Sequence, residues 1–207
     1  MKIIAPSVEL VEDFNAAAVM KKIERAGRVC YKSEENIKDD SAEKFIRGII
    51  KRGHESVIEH ATISFKVICD RGVTHELVRH RLASYSQESS RYCDYSAGKF
   101  GGELTFIKPC FWQEDDDNFK IWRSAMEFAE KNYLALRAGG ARLEEARSIL
   151  PNSLKTEIFV TMNLREWRHF LKLRTAKAAH PQMREVALKI YKILVEKLPA
   201  VFDDIQP

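Results

Sequence analysis

The densest chemistry in the chain lies at residues 74–92, T-H-E-L-V-R-H-R-L-A-S-Y-S-Q-E-S-S-R-Y. Arg79, His80 and Arg81 put two guanidiniums and an imidazole at the end of a predicted helix over 73–80. The serine-rich segment that follows ends in a third guanidinium, Arg91. Guanidinium forks take phosphate oxygens in pairs, while hydroxyls and loop amides complete the shell. The pattern suits phosphorylated ligands held without a glycine-rich cradle, and neither G-x-G-x-x-G nor G-x-x-x-x-G-K-[ST] occurs. Read alone, an Arg-His-Arg is more often a solvated helix end favoured by the helix dipole.

These groups must be positioned by the elements around them. Residues 15–28 carry Ala18, Val19, Ile23 and Ala26 at helical spacing, and Asp40 with Glu43 resembles a capping box opening a helix that ends near Gly53. At 61–69, Ile63, Phe65 and Val67 alternate with Thr62, Ser64 and Lys66, which predicts a half-buried strand; Thr156, Ile158 and Val160 predict another. A long amphipathic helix is expected over 119–138, closed by Gly139 and Gly140, and a shorter one over 141–150, stopped by Pro151. Further helices are expected over 164–175 and 181–197, the second with Pro at its first turn. The segment after His80 reads as irregular. Few strands between long helices imply an α+β fold: a small, central, mostly antiparallel sheet packed by long helices, in a single domain over 1–207. Unpaired strand edges and helix faces further imply burial between subunits.

Composition narrows the function classes. Of 207 residues, 45% are hydrophobic and 31% charged, which fits a folded protein, and a net charge of +4 is too mild for wrapping nucleic acid. No apolar run approaches the ~20 residues of a membrane span. Cys30, Cys69, Cys93 and Cys110 are scattered without a C-x-x-C pair, so a reduced, cytoplasmic chain without structural metal is expected.

Arg79-His80-Arg81, seven residues, then Ser89 resembles the signature of the flavin-dependent thymidylate synthases. Ala83-Ser84-Tyr85, Arg91-Tyr92, Gly53-His54-Glu55-Ser56, Glu59-His60, Ala146-Arg147, Leu150-Pro151, Asn163-Leu164-Arg165 and Leu173-Arg174 fit the family pattern in family order. The resemblance implies a homotetramer whose active sites draw on several chains. It implies FAD as cofactor, NADPH as reductant, 5,10-methylenetetrahydrofolate as carbon donor and dUMP as substrate. Arg79, His80 and Arg81 would hold the flavin, lined further by Ser56, Gln87, Asn163, Arg165 and His169, with His54 near the flavin and folate pocket. Glu76, Arg79, Gln87, Ser89, Ser90, Arg91 and Arg147 would bind dUMP. Arg174 matches the arginine that favours ionisation of the uracil N3. Two departures stand out: Glu76 occupies a position where many relatives have Gln, and 175–181 is longer than in some relatives, so His180 and Gln182 receive no role. Cys30, which replaces a small polar residue, receives none either.

Three other readings compete. Pro109-Cys110 superficially matches the nucleophile motif of the unrelated folate-only synthases, but Phe111 follows and nothing around it supports the match. His54, His60, His75 and His80 with nearby glutamates suggest a metal hydrolase, yet H-E-S-V-I-E-H is not H-E-x-x-H. Arg142, Arg147, Arg165, Arg168, Lys172, Arg174 and Lys177 interleaved with Trp167 and His169 could form a nucleic-acid stripe, but Glu144, Glu145, Glu157 and Glu166 interrupt it, and Trp167 is expected to be a packing residue.

Overall fold

The alternation at 61–69 becomes a strand that buries Ile63, Phe65, Val67 and Cys69 on one face. The structure, a computed structural model, describes residues 1–98 and 101–207. In chain order the elements are β1 (Lys2–Ile4), β2 (Ser7–Leu10), α1 (Ala16–Val29), α2 (Ser41–Lys51), β3 (Thr62–Asp70), α3 (Arg71–Leu77) and β4 (Ala83–Gln87). There follow β5 (Thr105–Ile107), α4 (Asp117–Ala138), α5 (Leu143–Ala146), β6 (Lys155–Asn163), α6 (Leu164–Arg174), α7 (Pro181–Lys197) and α8 (Pro199–Phe202). The class is α+β. One sheet has the order β2-β3-β6-β4, and β1 pairs separately with β5, in parallel. β3 and β6 run antiparallel: Leu164 donates its N–H to Ala61 O at 3.0 Å beyond one end, and Arg71 donates to Asn152 O at 2.9 Å beyond the other.

The chain divides into two compact units. The first comprises Met1–Ser7, Val67–Arg79 and Ser86–Ile158. Its core gathers Tyr95, Leu104, Phe106, Met126, Tyr133, Ala146 and Leu154. From α4 the buried residues are Phe119, Met126 and Tyr133, a narrow stripe with heptad spacing. α4 also carries Ile121 and Phe128, 69% and 70% exposed, so one chain leaves much of its apolar surface uncovered. α4 ends in a Schellman turn, where Gly140 takes φ 86° and Ala141 N–H reaches Leu136 O. Asp70 caps α3 by accepting from Val73 N–H at 2.8 Å.

The second unit comprises Val8–Lys66, His80–Tyr85 and Phe159–Pro207. Trp167 is fully buried; its indole N–H donates to Ile63 O at 3.0 Å, and its ring meets Phe65 edge-on at 5.2 Å. That bears out the packing role and takes Trp167 out of any nucleic-acid stripe. Arg168, another residue of that alternative, is buried too.

Several boundaries differ from expectation for identifiable reasons. Asp40 precedes α2 but makes no side-chain cap bond; Glu43 instead pairs with Arg47 at 3.0 Å, one helical turn on. The helix expected over 141–150 is one short turn, α5, continuing into a 3-10 turn at Arg147–Ile149. The first part of the serine-rich segment is the strand β4, whose burial alternates along Ala83–Gln87. Its small hydroxyl side chains hid a period of two that a bulkier strand would have advertised.

Candidate functional site

The expected site residues fall in both units. Glu76, Arg79, Gln87, Ser89, Ser90, Arg91 and Arg147 belong to the first; Ser56, His80, Arg81, Asn163, Arg165, His169 and Arg174 belong to the second.

In the first unit α3 delivers a half-buried Glu76, and the exposed Arg79 follows it, with its N–H on Glu76 O at 3.2 Å. Gln87 ends β4, and its side-chain amide donates to Thr74 Oγ1 at 3.1 Å and Thr156 Oγ1 at 3.2 Å. The chain then folds on itself. Ser89 O accepts from Tyr92 N–H and Cys93 N–H, and Ser89 Oγ from Arg91 N–H at 3.2 Å. Ser90 is buried at 6% exposure, whereas Arg91 remains exposed, with its guanidinium over the Tyr92 ring.

Three residues that sequence reasoning passed over anchor this turn. Glu88 accepts from Lys155 Nζ and from Tyr95 Oη, each at 2.8 Å, and Lys155 also reaches Glu157 at 2.6 Å. Burial, reinforced by Glu88, pushes the Tyr95 phenol up, so it stays a donor. Arg147 is exposed at the start of its 3-10 turn.

In the second unit the cluster is tighter. His80 is 3% exposed. Its Nδ1 lies 3.2 Å from Glu166 Oε1, and Arg174 Nε donates to its Nε2 at 3.2 Å. The Phe170 ring meets the imidazole edge-on at 5.0 Å, and His169 lies 5.5 Å away. From β4, Tyr85 Oη donates to His80 O at 2.6 Å. Burial lowers the His80 pKa below its ordinary value; the bond to Glu166 opposes this, and the Arg174 and His169 charges reinforce it. Neutral imidazole is the form held at neutral pH.

Beside this cluster a cavity of about 420 Å³ is lined by Glu55, Leu82, Arg165, Glu166, His169 and Lys172. Arg165 pairs with Glu59 at 2.6 Å. Asn163 Oδ1 caps α6 through Glu166 N–H at 2.8 Å, so its carbonyl is committed to the helix. Ser56 and Arg81 are exposed, Ser56 in the 3-10 turn Glu55–His60.

Side chains of His80, Glu166 and His169 could converge on a metal, their ligand atoms lying within 4.8 Å of one another. A cation there would meet the fixed charge of Arg174, and the hydrogen bonds already use the His80 and Glu166 atoms that face one another. Cys110 is exposed and Cys69 is buried.

Comparison with known proteins converges on one family. The family model for thymidylate synthase complementing protein matches residues 10–200. The chain is 40% identical to the flavin-dependent thymidylate synthase of Pyrococcus furiosus, over 84% of this chain and 69% of that one. It is 34% identical to the enzyme of the same name from Geobacter sulfurreducens, over 88% and 80%. Among solved structures it is similar to the UMP/dUMP methylase PolB from Streptomyces cacaoi bound with 5-Br dUMP, at 28% identity and a TM-score of 0.79, over 98% of this chain and 96% of that one.

Proposed function

The chain belongs to the thymidylate synthase complementing protein family, the flavin-dependent thymidylate synthases, and from that premise we propose that it converts dUMP to dTMP by reductive methylation without a cysteine nucleophile. The observation that carries this reading is the position of the signature histidine. His80 is bonded to Arg174 and Glu166, and Glu166 and His169 form the wall of a cavity. The whole chain acts as one catalytic domain.

The residues present fit FAD. The cavity offers the cations Arg165 and Lys172 for phosphate, with the Leu82 side chain and the His169 ring for a planar ring system. Exposed Arg81, with Arg79 and Ser56, adds phosphate donors. Bound FAD, reduced by NADPH, supplies the hydride that completes a methyl group whose carbon comes from 5,10-methylenetetrahydrofolate. The chain's own part is to bind, orient and polarise. Arg91, Arg147 and Arg79 hold the dUMP phosphate, while Ser89, Ser90, Gln87 and Glu76 orient the nucleotide. The Arg174 guanidinium faces the N3–C4=O edge of the uracil. There it stabilises negative charge on the ring and raises electron density at C5, the carbon that must attack. The site is assembled from several chains of a homotetramer, and the uncovered Ile121 and Phe128 of α4 support burial between copies.

Purified protein should be yellow, and its visible spectrum should shift when dUMP is added; UMP, tried in parallel, reports how strictly the sugar is read. Chelator treatment should leave both properties and turnover intact. A colourless preparation that takes up no added flavin would refute the reading, and so would activity lost to chelator and restored by zinc. A native mass of one or two chains would refute the tetramer. Arg81→Ala should raise the flavin dissociation constant by about tenfold, the loss of one charge-assisted phosphate contact. An unchanged flavin affinity would remove Arg81 from the cofactor site.

A further inference from the structure

Accepting the proposed role of Arg174, we infer that Glu166 is a positioning residue: through His80 it fixes the tautomer that receives Arg174 and so holds the guanidinium toward the uracil. The argument begins with the donor. Arginine Nε carries a hydrogen under all conditions and never accepts. Its approach to His80 Nε2 at 3.2 Å therefore requires a lone pair on that nitrogen. The ring proton must then sit on Nδ1, which lies 3.2 Å from Glu166 Oε1 and donates to it. Carboxylate, imidazole and guanidinium form one directed chain, Glu166 ← His80 ← Arg174, in which each bond dictates the next.

The surroundings leave the ring little freedom. Phe170 and His169 bracket it from α6, and the Tyr85 hydroxyl pins the His80 backbone carbonyl from β4. Glu166 is itself placed by the α6 cap, since its own N–H donates to Asn163 Oδ1. Three residues of the family pattern thus acquire one linked purpose: Asn163 sets the helix start, His80 transmits the orientation, and Arg174 acts on the substrate. The same bonds engage both ring nitrogens of His80 inside the chain, which leaves phosphate binding by the signature to the exposed Arg79 and Arg81.

Acid should break the chain. Protonated His80 would point an N–H at the Arg174 N–H, with like charges in contact, and the guanidinium would be released. The charged and titratable groups facing the imidazole are Glu166, His169 and Arg174 on α6 and Tyr85 on β4. Glu166 is the group among them that favours the protonated ring, so its neutralisation must move His80 titration to lower pH.

The test uses full-length, flavin-loaded enzyme with Glu166→Gln and Glu166→Leu. Glutamine keeps an acceptor for Nδ1–H and removes the charge; leucine removes both. Glu166→Leu should lower kcat per flavin-bound subunit by about 10- to 100-fold, with KM for dUMP changed less than about threefold, while Glu166→Gln should recover most of that loss. In both variants the acid limb of the kcat profile should move to lower pH. Nitrogen-15 spectra of the histidine ring should report Nδ1–H for His80 in the wild type and a mixture of tautomers in Glu166→Leu. An unmoved acid limb in the soluble Glu166→Gln protein, or an Nε2–H tautomer in the wild type, would overturn the inference. Because the spectra need no turnover, they judge the hydrogen-bond chain even if the wild type made no dTMP, an outcome that would refute the proposed activity instead.

Discussion

Arg174→Ala is expected to lower the rate of dUMP methylation by about two to three orders of magnitude while leaving flavin bound. The size follows from the task. Removing one preorganised donor from a site of developing negative charge typically costs ~3–4 kcal/mol of transition-state stabilisation. Arg174 is half-buried at the end of α6, with its Nε already held by His80, so little reorganisation is needed when charge appears on the ring. Flavin retention should persist because the residues proposed to grip the cofactor are Arg79, Arg81, Arg165 and His169. Arg174→Lys should recover only part of the rate: the charge survives, but the planar fork and the Nε–H that meets His80 do not. The readout is dTMP formed per flavin-bound subunit in a single turnover. A normal rate in the alanine variant would remove Arg174 from the chemistry.

Arg168→Met is expected to be the most destabilising single change proposed here, at about 3 kcal/mol. Arg168 is 1% exposed. Its guanidinium makes a bidentate pair with Asp204, at 2.6 and 2.7 Å, and also donates to Glu55 Oε1 at 3.2 Å and to the Val201 carbonyl. These bonds tie α6 to the 3-10 turn Glu55–His60 and to the segment from α8 to Asp204. Methionine keeps most of the volume, so the loss is chiefly the paired charge and the hydrogen bonds, with Glu55 left half-buried beside an apolar chain. For a chain of this length the melting temperature should fall by roughly 6–12 °C.

The pH dependence carries its own sign. Arg168 holds the Asp204 carboxyl below its ordinary range, so the unfolded chain binds more protons in acid than the folded one. The stabilisation is therefore present above pH ~4 and drains away as pH falls further. The gap between wild type and variant should narrow in acid. A variant within about 0.5 kcal/mol of wild type at pH 7 would show that the pair is neutral in balance.

Arg168 also shows where sequence reading reached its limit. Within L-R-E-W-R-H-F-L-K-L-R, every arginine is equally a candidate for binding an anion. Burial separates them: Arg165 is exposed beside the cavity, Arg168 is enclosed, and Arg174 is half-covered against His80. The helical period marks 167, 170, 171 and 174 as one face, but does not show that Arg168, which flanks that face, finds a carboxylate from residue 204. The turn at 88–93 is similar. Its serines were visible as ligand groups, whereas its anchor, Lys155 between Glu88 and Glu157, depends on the neighbouring strand β6.

The sequence by itself determined the main helices and the two long strands, because apolar periodicity, proline starts and glycine stops act over a few residues. It also determined the family, because the signature is a string of side chains whose order survives without coordinates. The tertiary structure alone decided that His80 faces inward, that Glu166 stands behind it, and that Arg168 is a tie between elements. Hydrogen bonds between residues 86 or 36 positions apart leave no local mark, and a charged side chain reads the same whether water or a buried partner satisfies it.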